Sequence, residues 1–147
     1  MLAIRRMRQE DIPYVAQLEK DIFSDAWSEK ALLETLAQKQ TILLTAFEDK
    51  TLIGYVILYY VLEEGEIARI AVSADHRRQG VGARLLLELE SLCLDNGISK
   101  ILLDVRESNV SAYSFYEEHG FVKDGIRKNF YRDPKENAVL MSSEIGS

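Results

Sequence analysis

The sequence holds one cysteine, Cys93, among 147 residues. That count excludes an intrachain disulfide and a cysteine-built metal cluster. The setting of Cys93 in LELESLCLD is that of a buried helix position rather than of a catalytic thiol. No run approaches the roughly 18 apolar residues of a membrane-crossing helix. The opening MLAIRRMRQED lacks the apolar centre of a signal peptide. A cytoplasmic chain without membrane association is the expectation. Excess positive charge is also missing, since the formal net charge is -6. A general nucleic-acid binder needs a basic surface, so no direct nucleic-acid contact is expected. An acidic surface favours a cationic acceptor instead, such as an amine or a basic protein. There is no internal repeat, linker or low-complexity segment, and the length suits one domain, 1–147.

Hydrophobic residues make up 47% of the chain, enough for a sizeable core. Leu2 to Met7 alternates as a short strand. Gln9-Glu10-Asp11 opens a helix that tolerates Pro13 in its first turn and repeats apolar residues at Ile12, Val15, Ala16, Leu18 and Ile22. Phe23 to Trp27 breaks that pattern, and Ser28 is an N-cap for a second helix to about Ala37. Thr41–Phe47, Leu52–Tyr60 and Gly65–Val72 are β-rich runs, the first two joined as a hairpin. Val81 to about Asp95 is a helix with Val81, Leu85, Leu89 and Leu92 on one face, ended by Asn96-Gly97. Ile101 to Val105 is a buried strand. Asn109 caps a helix to about His119. Phe121–Ile126 and Ala138–Glu144 are the last strands, separated by a polar, proline-containing loop. The order predicts an α/β (α+β) fold: a mixed sheet of about seven strands flanked by about four helices, antiparallel hairpins first and a parallel pair around the Val81 helix.

The stretch Ile67 to Arg84, IARIAVSADHRRQGVGAR, organises the rest. It reads as a buried strand, a loop Arg77-Arg78-Gln79-Gly80-Val81-Gly82, and a helix start. Glycines at alternate positions let backbone N–H groups approach an anion, and the helix N-terminus aims its dipole at the same point. Arg77 and Arg78 can add charge-assisted hydrogen bonds to phosphate oxygens. Two turn glycines alone would look the same. A dinucleotide fingerprint is excluded, because Leu85 stands where its third glycine belongs. A nucleoside-triphosphate loop is excluded by the absence of Gly-Lys-Ser/Thr.

With its preceding strand, the stretch resembles the acetyl-coenzyme A motif of the GNAT acetyltransferases, Arg/Gln-x-x-Gly-x-Gly/Ala, filled by Arg77, Gly80 and Gly82. The element order is similar to that fold along essentially the whole chain. Asp104-Val105-Arg106-Glu107-Ser108-Asn109, the stretch from Tyr113 to Tyr116, and Gly120-Phe121 resemble the ribosomal-protein-alanine N-acetyltransferases, the RimI group. Trp27-Ser28-Glu29-Lys30 and Arg127-Lys128-Asn129-Phe130-Tyr131 are similar to that group as well.

The resemblance implies direct acetyl transfer from acetyl-CoA, as co-substrate and with no metal, to an amine in a ternary complex. Ile70, Ala71 and Val72 would pair with the pantetheine arm, and the Val72 amide would meet the thioester carbonyl. Arg77, Arg78, Gln79, Gly80, Val81 and Gly82 would hold the diphosphate, and Asn109 would both cap its helix and touch the coenzyme. Tyr116 would be the general acid, since a phenol can protonate a departing thiolate. The base is Asp104, which stands where the group has glutamate, or Glu66 on the earlier strand; together they would line the amine path. Phe23, Trp27 and Tyr131 would wall the acceptor groove. The chain departs from the group at Ser24-Asp25-Ala26-Trp27, in place of Phe-Pro-Trp, and at Phe130, in place of a second tyrosine. The implied reaction is acetylation of a protein N-terminus, with a ribosomal protein as the acceptor. Two other readings stand beside it: acetylation of lysine side chains or small amines, and non-catalytic binding of an acyl-coenzyme A.

Overall fold

A computed structural model describes residues 1–146. Strand β1 (Leu2–Arg6) is followed by a short 3-10 turn at Gln9–Asp11 and helices α1 (Ile12–Ile22) and α2 (Glu29–Ala37). Strands β2 (Thr41–Glu48), β3 (Thr51–Val61) and β4 (Glu64–Val72) come next, then α3 (Val81–Asp95), β5 (Lys100–Arg106), α4 (Val110–Glu118), β6 (Val122–Tyr131) and β7 (Glu136–Glu144). The helix starts follow their caps. Ser28 Oγ accepts from the Ala31 N–H at 3.1 Å, and Asn109 Oδ1 accepts from the Ala112 N–H at 3.1 Å. Asp11, almost wholly buried, accepts from the Arg8 N–H at 2.8 Å and from Arg5 at 2.7 and 2.9 Å, which ties β1 to the entrance of α1. Gly97, at φ 75°, ends the α3 segment in the left-handed region.

The strands form one sheet in the order β1-β2-β3-β4-β5-β7-β6. It is mixed as expected, antiparallel except for β4 against β5. The expected seven strands and four α-helices are present among the described residues. One core, with Leu44, Val56, Leu85, Leu89 and Phe121, packs α3 and α4 against one face of the sheet. A second, with Ile12, Val15, Leu32, Tyr55 and Ile57, packs α1 and α2 against the other. Cys93 is fully buried in the α3 layer, and burial pushes its thiol up to about 12.

Two features depart from the sequence reading. The last hairpin is longer: β6 runs to Tyr131, where the pattern ends at Ile126, and β7 starts at Glu136 instead of Ala138. β6 is the outer strand of the sheet and mostly exposed, so its residues carry no apolar alternation, and its register slips between Lys123 and Gly125 and between Arg127 and Tyr131. The second departure is a β-bulge in β4. Ile57 pairs with Arg69 and Leu58 with Ile67, leaving Ala68 as the extra residue. Beyond it, β4 leaves β5. The two strands pair only through Glu64–Lys100, Gly65–Ile101 and Glu66–Leu102, although both continue several residues further.

Candidate active site

The parting of β4 from β5 opens a gap in the middle of the sheet. Ser73 N–H donates to Ile53 O at 2.7 Å, which fixes the direction of the backbone groups of β4. Residues alternate, so Ala71 also faces β3, while Ile70 and Val72 direct their N–H and C=O groups into the gap. The Val72 carbonyl accepts from Arg77 Nε at 3.2 Å, so the loop after β4 is drawn back against the strand's end. A cleft of about 550 Å³ follows the gap, lined among others by Glu66, Ile70, Asp104, Asn109, Tyr116 and Tyr131.

The two sides of the gap carry different chemistry. Ile67 belongs to the core under α3, so its neighbour Glu66 points to the α1 face. Leu103 and Val105 share that core, so Asp104 also points to the α1 face. Both carboxylates line the cleft. Burial holds the Glu66 carboxyl above its usual range and the nearby Asp104 adds to this, while Arg127 opposes it. Burial likewise raises Asp104, with Arg127 pulling it down. Tyr116 approaches from the other face. Its ring is packed edge-on against Phe115 and Phe121, at 5.4 and 5.6 Å between centroids. Its side chain reaches the cleft, and its hydroxyl, free of any hydrogen bond among the described residues, is not sealed in the core. Burial, and then the neighbouring Tyr131, hold its phenol well above the ordinary value.

The loop Arg77 to Gly80 is exposed and turns through two left-handed residues, Arg78 at φ 62° and Gly80 at φ 80°. Arg84 N–H donates to Gly80 O at 3.0 Å, so the N–H groups of Val81, Gly82 and Ala83 lie ahead of the first bond of α3. The two glycines serve different ends. A Cβ at Gly80 would meet open space, so its need is the positive φ. A Cβ at Gly82 would stand 3.2 Å from Phe115 Cζ, so Gly82 lets α4 pack onto the start of α3.

The three aromatics expected in the acceptor wall are not equivalent. Phe23, just after α1, and Tyr131, at the end of β6, both line the cleft. Tyr131 lies under the Arg106 guanidinium at 4.4 Å, and burial with Asp104 pushes its phenol up to about 12. Trp27 stands back from the cleft and packs on the α1-side core. Of the coenzyme candidates, Ile70, Asn109 and Tyr116 line the cleft, and the Arg77–Gly82 loop lies beyond its end at the tip of β4.

Sequence reasoning missed a buried cluster beside these residues. Glu19 is fully buried and accepts from Arg69 Nε at 3.1 Å, from the Trp27 N–H at 2.9 Å and from the Tyr55 hydroxyl. Burial, and then Glu19, hold the Tyr55 phenol far above its usual value. The signal was present: Glu19 falls on the stripe of Ile12, Val15, Ala16 and Ile22, where a charge has no place unless it is paired.

The Acetyltransferase (GNAT) family profile matches residues 12–121. The [ribosomal protein bS18]-alanine N-acetyltransferase of Salmonella typhimurium is 31% identical over 147 residues, 99% of each chain. The crystal structure of the ribosomal-protein-S18-alanine N-acetyltransferase from Escherichia coli is similar at a TM-score of 0.92 and 30% identity, over 100% of this chain and 96% of that one. Ard1 from Thermoplasma volcanium is similar at 0.91 and 25% identity, over 99% of both chains.

Proposed function

The chain belongs to the acetyltransferase (GNAT) family, and on that premise we propose that it acetylates the N-terminal α-amine of a protein, a ribosomal protein being the model acceptor. Acetyl-CoA is the donor, bound from the α3–α4 face. The cytoplasm, where ribosomal proteins are made, is the setting that fits this acceptor. No helix among the described residues is long and apolar enough to cross a membrane. The observation that carries the reading is the gap itself: carboxylates enter it from one face, a phenol from the other, and strand amides point between them. Two reactants can then meet edge to edge through the sheet, held in near-attack geometry.

The residues divide the work by position. Glu66 and Asp104 draw the ammonium acceptor in and take its proton, directly or through a water, leaving a neutral amine. The Ile70 and Val72 N–H groups face the thioester carbonyl and hold the negative oxygen that develops as the C–N bond forms. Ile70 lines the cleft with the two carboxylates, which supports a part for its amide beside that of Val72. As the C–S bond breaks, Tyr116 gives its hydroxyl proton to the thiolate, the attacking nitrogen sheds its extra proton to become the amide, and that proton restores the phenol through solvent; the raised pKa of Tyr116 keeps its proton in place beforehand. The Arg77–Gly82 loop and the N-terminus of α3 hold the diphosphate by charge and by free N–H groups. Phe23 and Tyr131 flank the acceptor chain.

A peptide library tests the acceptor. Peptides with free N-termini should be acetylated, and blocked peptides carrying lysine should not. Preference for the blocked set overturns the reading. Thiol release from acetyl-CoA that depends on an added amine separates an enzyme from a binding module.

A further inference from the structure

Arg69 sits where regular alternation would not put it. Ile67 faces α3, and an unbroken strand would turn Arg69 the same way. The extra residue at Ala68 turns it to the α1 face instead, among Glu19, Asp25 and Phe23. There Arg69 donates to Glu19 Oε2 and Oε1, each at 3.1 Å, to the Asp25 carbonyl at 3.0 Å and to Asp25 Oδ1 at 3.1 Å. Its guanidinium lies 3.8 Å from the centre of the Phe23 ring. Glu19, in turn, holds the N–H of Trp27. One ion pair therefore fastens the 23–27 segment near its start, middle and end.

The core does not require such a pair, because apolar residues of similar volume commonly serve a buried position as well. The pair instead fixes a segment with no regular structure of its own, and Phe23, Ser24 and Asp25 of that segment line the cleft together with Tyr131. We propose that Arg69 is a positioning residue that sets acceptor selectivity by clamping the Phe23–Trp27 segment as a fixed wall of the groove. This rests on the reading of the cleft as the site of N-terminal acetylation.

Trp27 is the only tryptophan in the chain, so its emission reports on the segment without any substrate. In Arg69→Met, acrylamide should quench Trp27 about twofold more strongly, as a locally opened segment would allow. The KM for acceptor peptides should rise about tenfold, with the KM for acetyl-CoA within about twofold of the unaltered chain. Asp25→Ala touches a side chain that is mostly exposed and should fold normally. It should raise quenching and acceptor KM in the same direction, and add nothing in the Arg69→Met background. Additive effects would mean that Asp25 meets the acceptor itself, and would overturn the clamp. So would unchanged quenching in Arg69→Met, or equal rises in both KM values. If Arg69→Met does not fold, unchanged quenching in Asp25→Ala overturns the clamp by itself. A wrong reading of the reaction would appear separately, as no acetylation of any peptide by the unaltered chain.

Discussion

Tyr116 combines a packed ring with a hydroxyl left free for the cleft, so removing one oxygen tests its role with little effect on the core. Tyr116→Phe is expected to lower kcat about 100-fold, within the range of a lost general acid, while the melting temperature stays close to that of the unaltered chain. A fall of less than tenfold would leave the phenol without a proton-donating part. Asp104 is testable by pH. Burial and Asp104 both raise Glu66, so Asp104→Asn should let Glu66 fall toward its ordinary 4.5. The acid limb of kcat/KM for the remaining activity then moves to lower pH; an unmoved limb would mean the two carboxylates are not coupled. Stability moves with it. A carboxyl raised in the folded state favours folding while protonated, and that contribution is lost as pH rises through its folded pKa. Asp104→Asn should therefore melt higher at neutral pH, with the advantage gone below the ordinary aspartate value of 3.8. Tyr116, Asp104 and Glu66, which line one cleft, are singled out in the sequence because their runs resemble a family's motifs. Glu19 and Arg69 are not, since pairing across 50 residues leaves only two misplaced charges as its trace.

Most elements were legible because local chemistry and burial agree. Ser28 and Asn109 each stand at the start of a helix and cap it, and β2, buried on both faces, is an almost unbroken apolar run. The far half of the last hairpin was not legible. Only Arg127 and Tyr131, the ends of that stretch, pair with β7, with an irregular register between them, and pairing at a sheet edge asks nothing of side-chain polarity. Close approach between elements is equally hidden in sequence. Gly54 looks like an ordinary strand glycine, yet a Cβ there would stand 2.9 Å from the Ala71 carbonyl oxygen, a backbone atom that cannot step aside. Gly54→Ala should force β3 from β4 and destabilise the protein by about 1–3 kcal/mol, as overpacking does. Chemical denaturation would measure it, and a loss below 0.5 kcal/mol would show the strands can yield. Because Ala71 lies between Ile70 and Val72, the acetyl-CoA KM should rise as well.

For the molecule as a whole, an element order with helix crossovers only in its second half indicates a mixed sheet with a parallel pair, and that is the sheet observed. What order and composition could not supply is that the parallel pair stops after Glu66 and Leu102. The bulge at Ala68 follows that last pair within two residues, and a bulged strand bends and ends its pairing. The protein thus forgoes ladder hydrogen bonds at the proposed site. Deleting Ala68 leaves Arg69, Ile70, Ala71 and Val72 on their present faces but removes the bend. β4 could then run on beside β5, trading an open sheet for added ladder hydrogen bonds. The shortened chain is expected to melt higher than its parent and to acetylate nothing, with amide exchange at Ile70 and Val72 slowed. A deletion variant that melts lower and keeps its activity would show that the opening does not come from the bulge. If the expected result holds, a more stable relative of this chain lies one codon away, and activity is what keeps that residue in place.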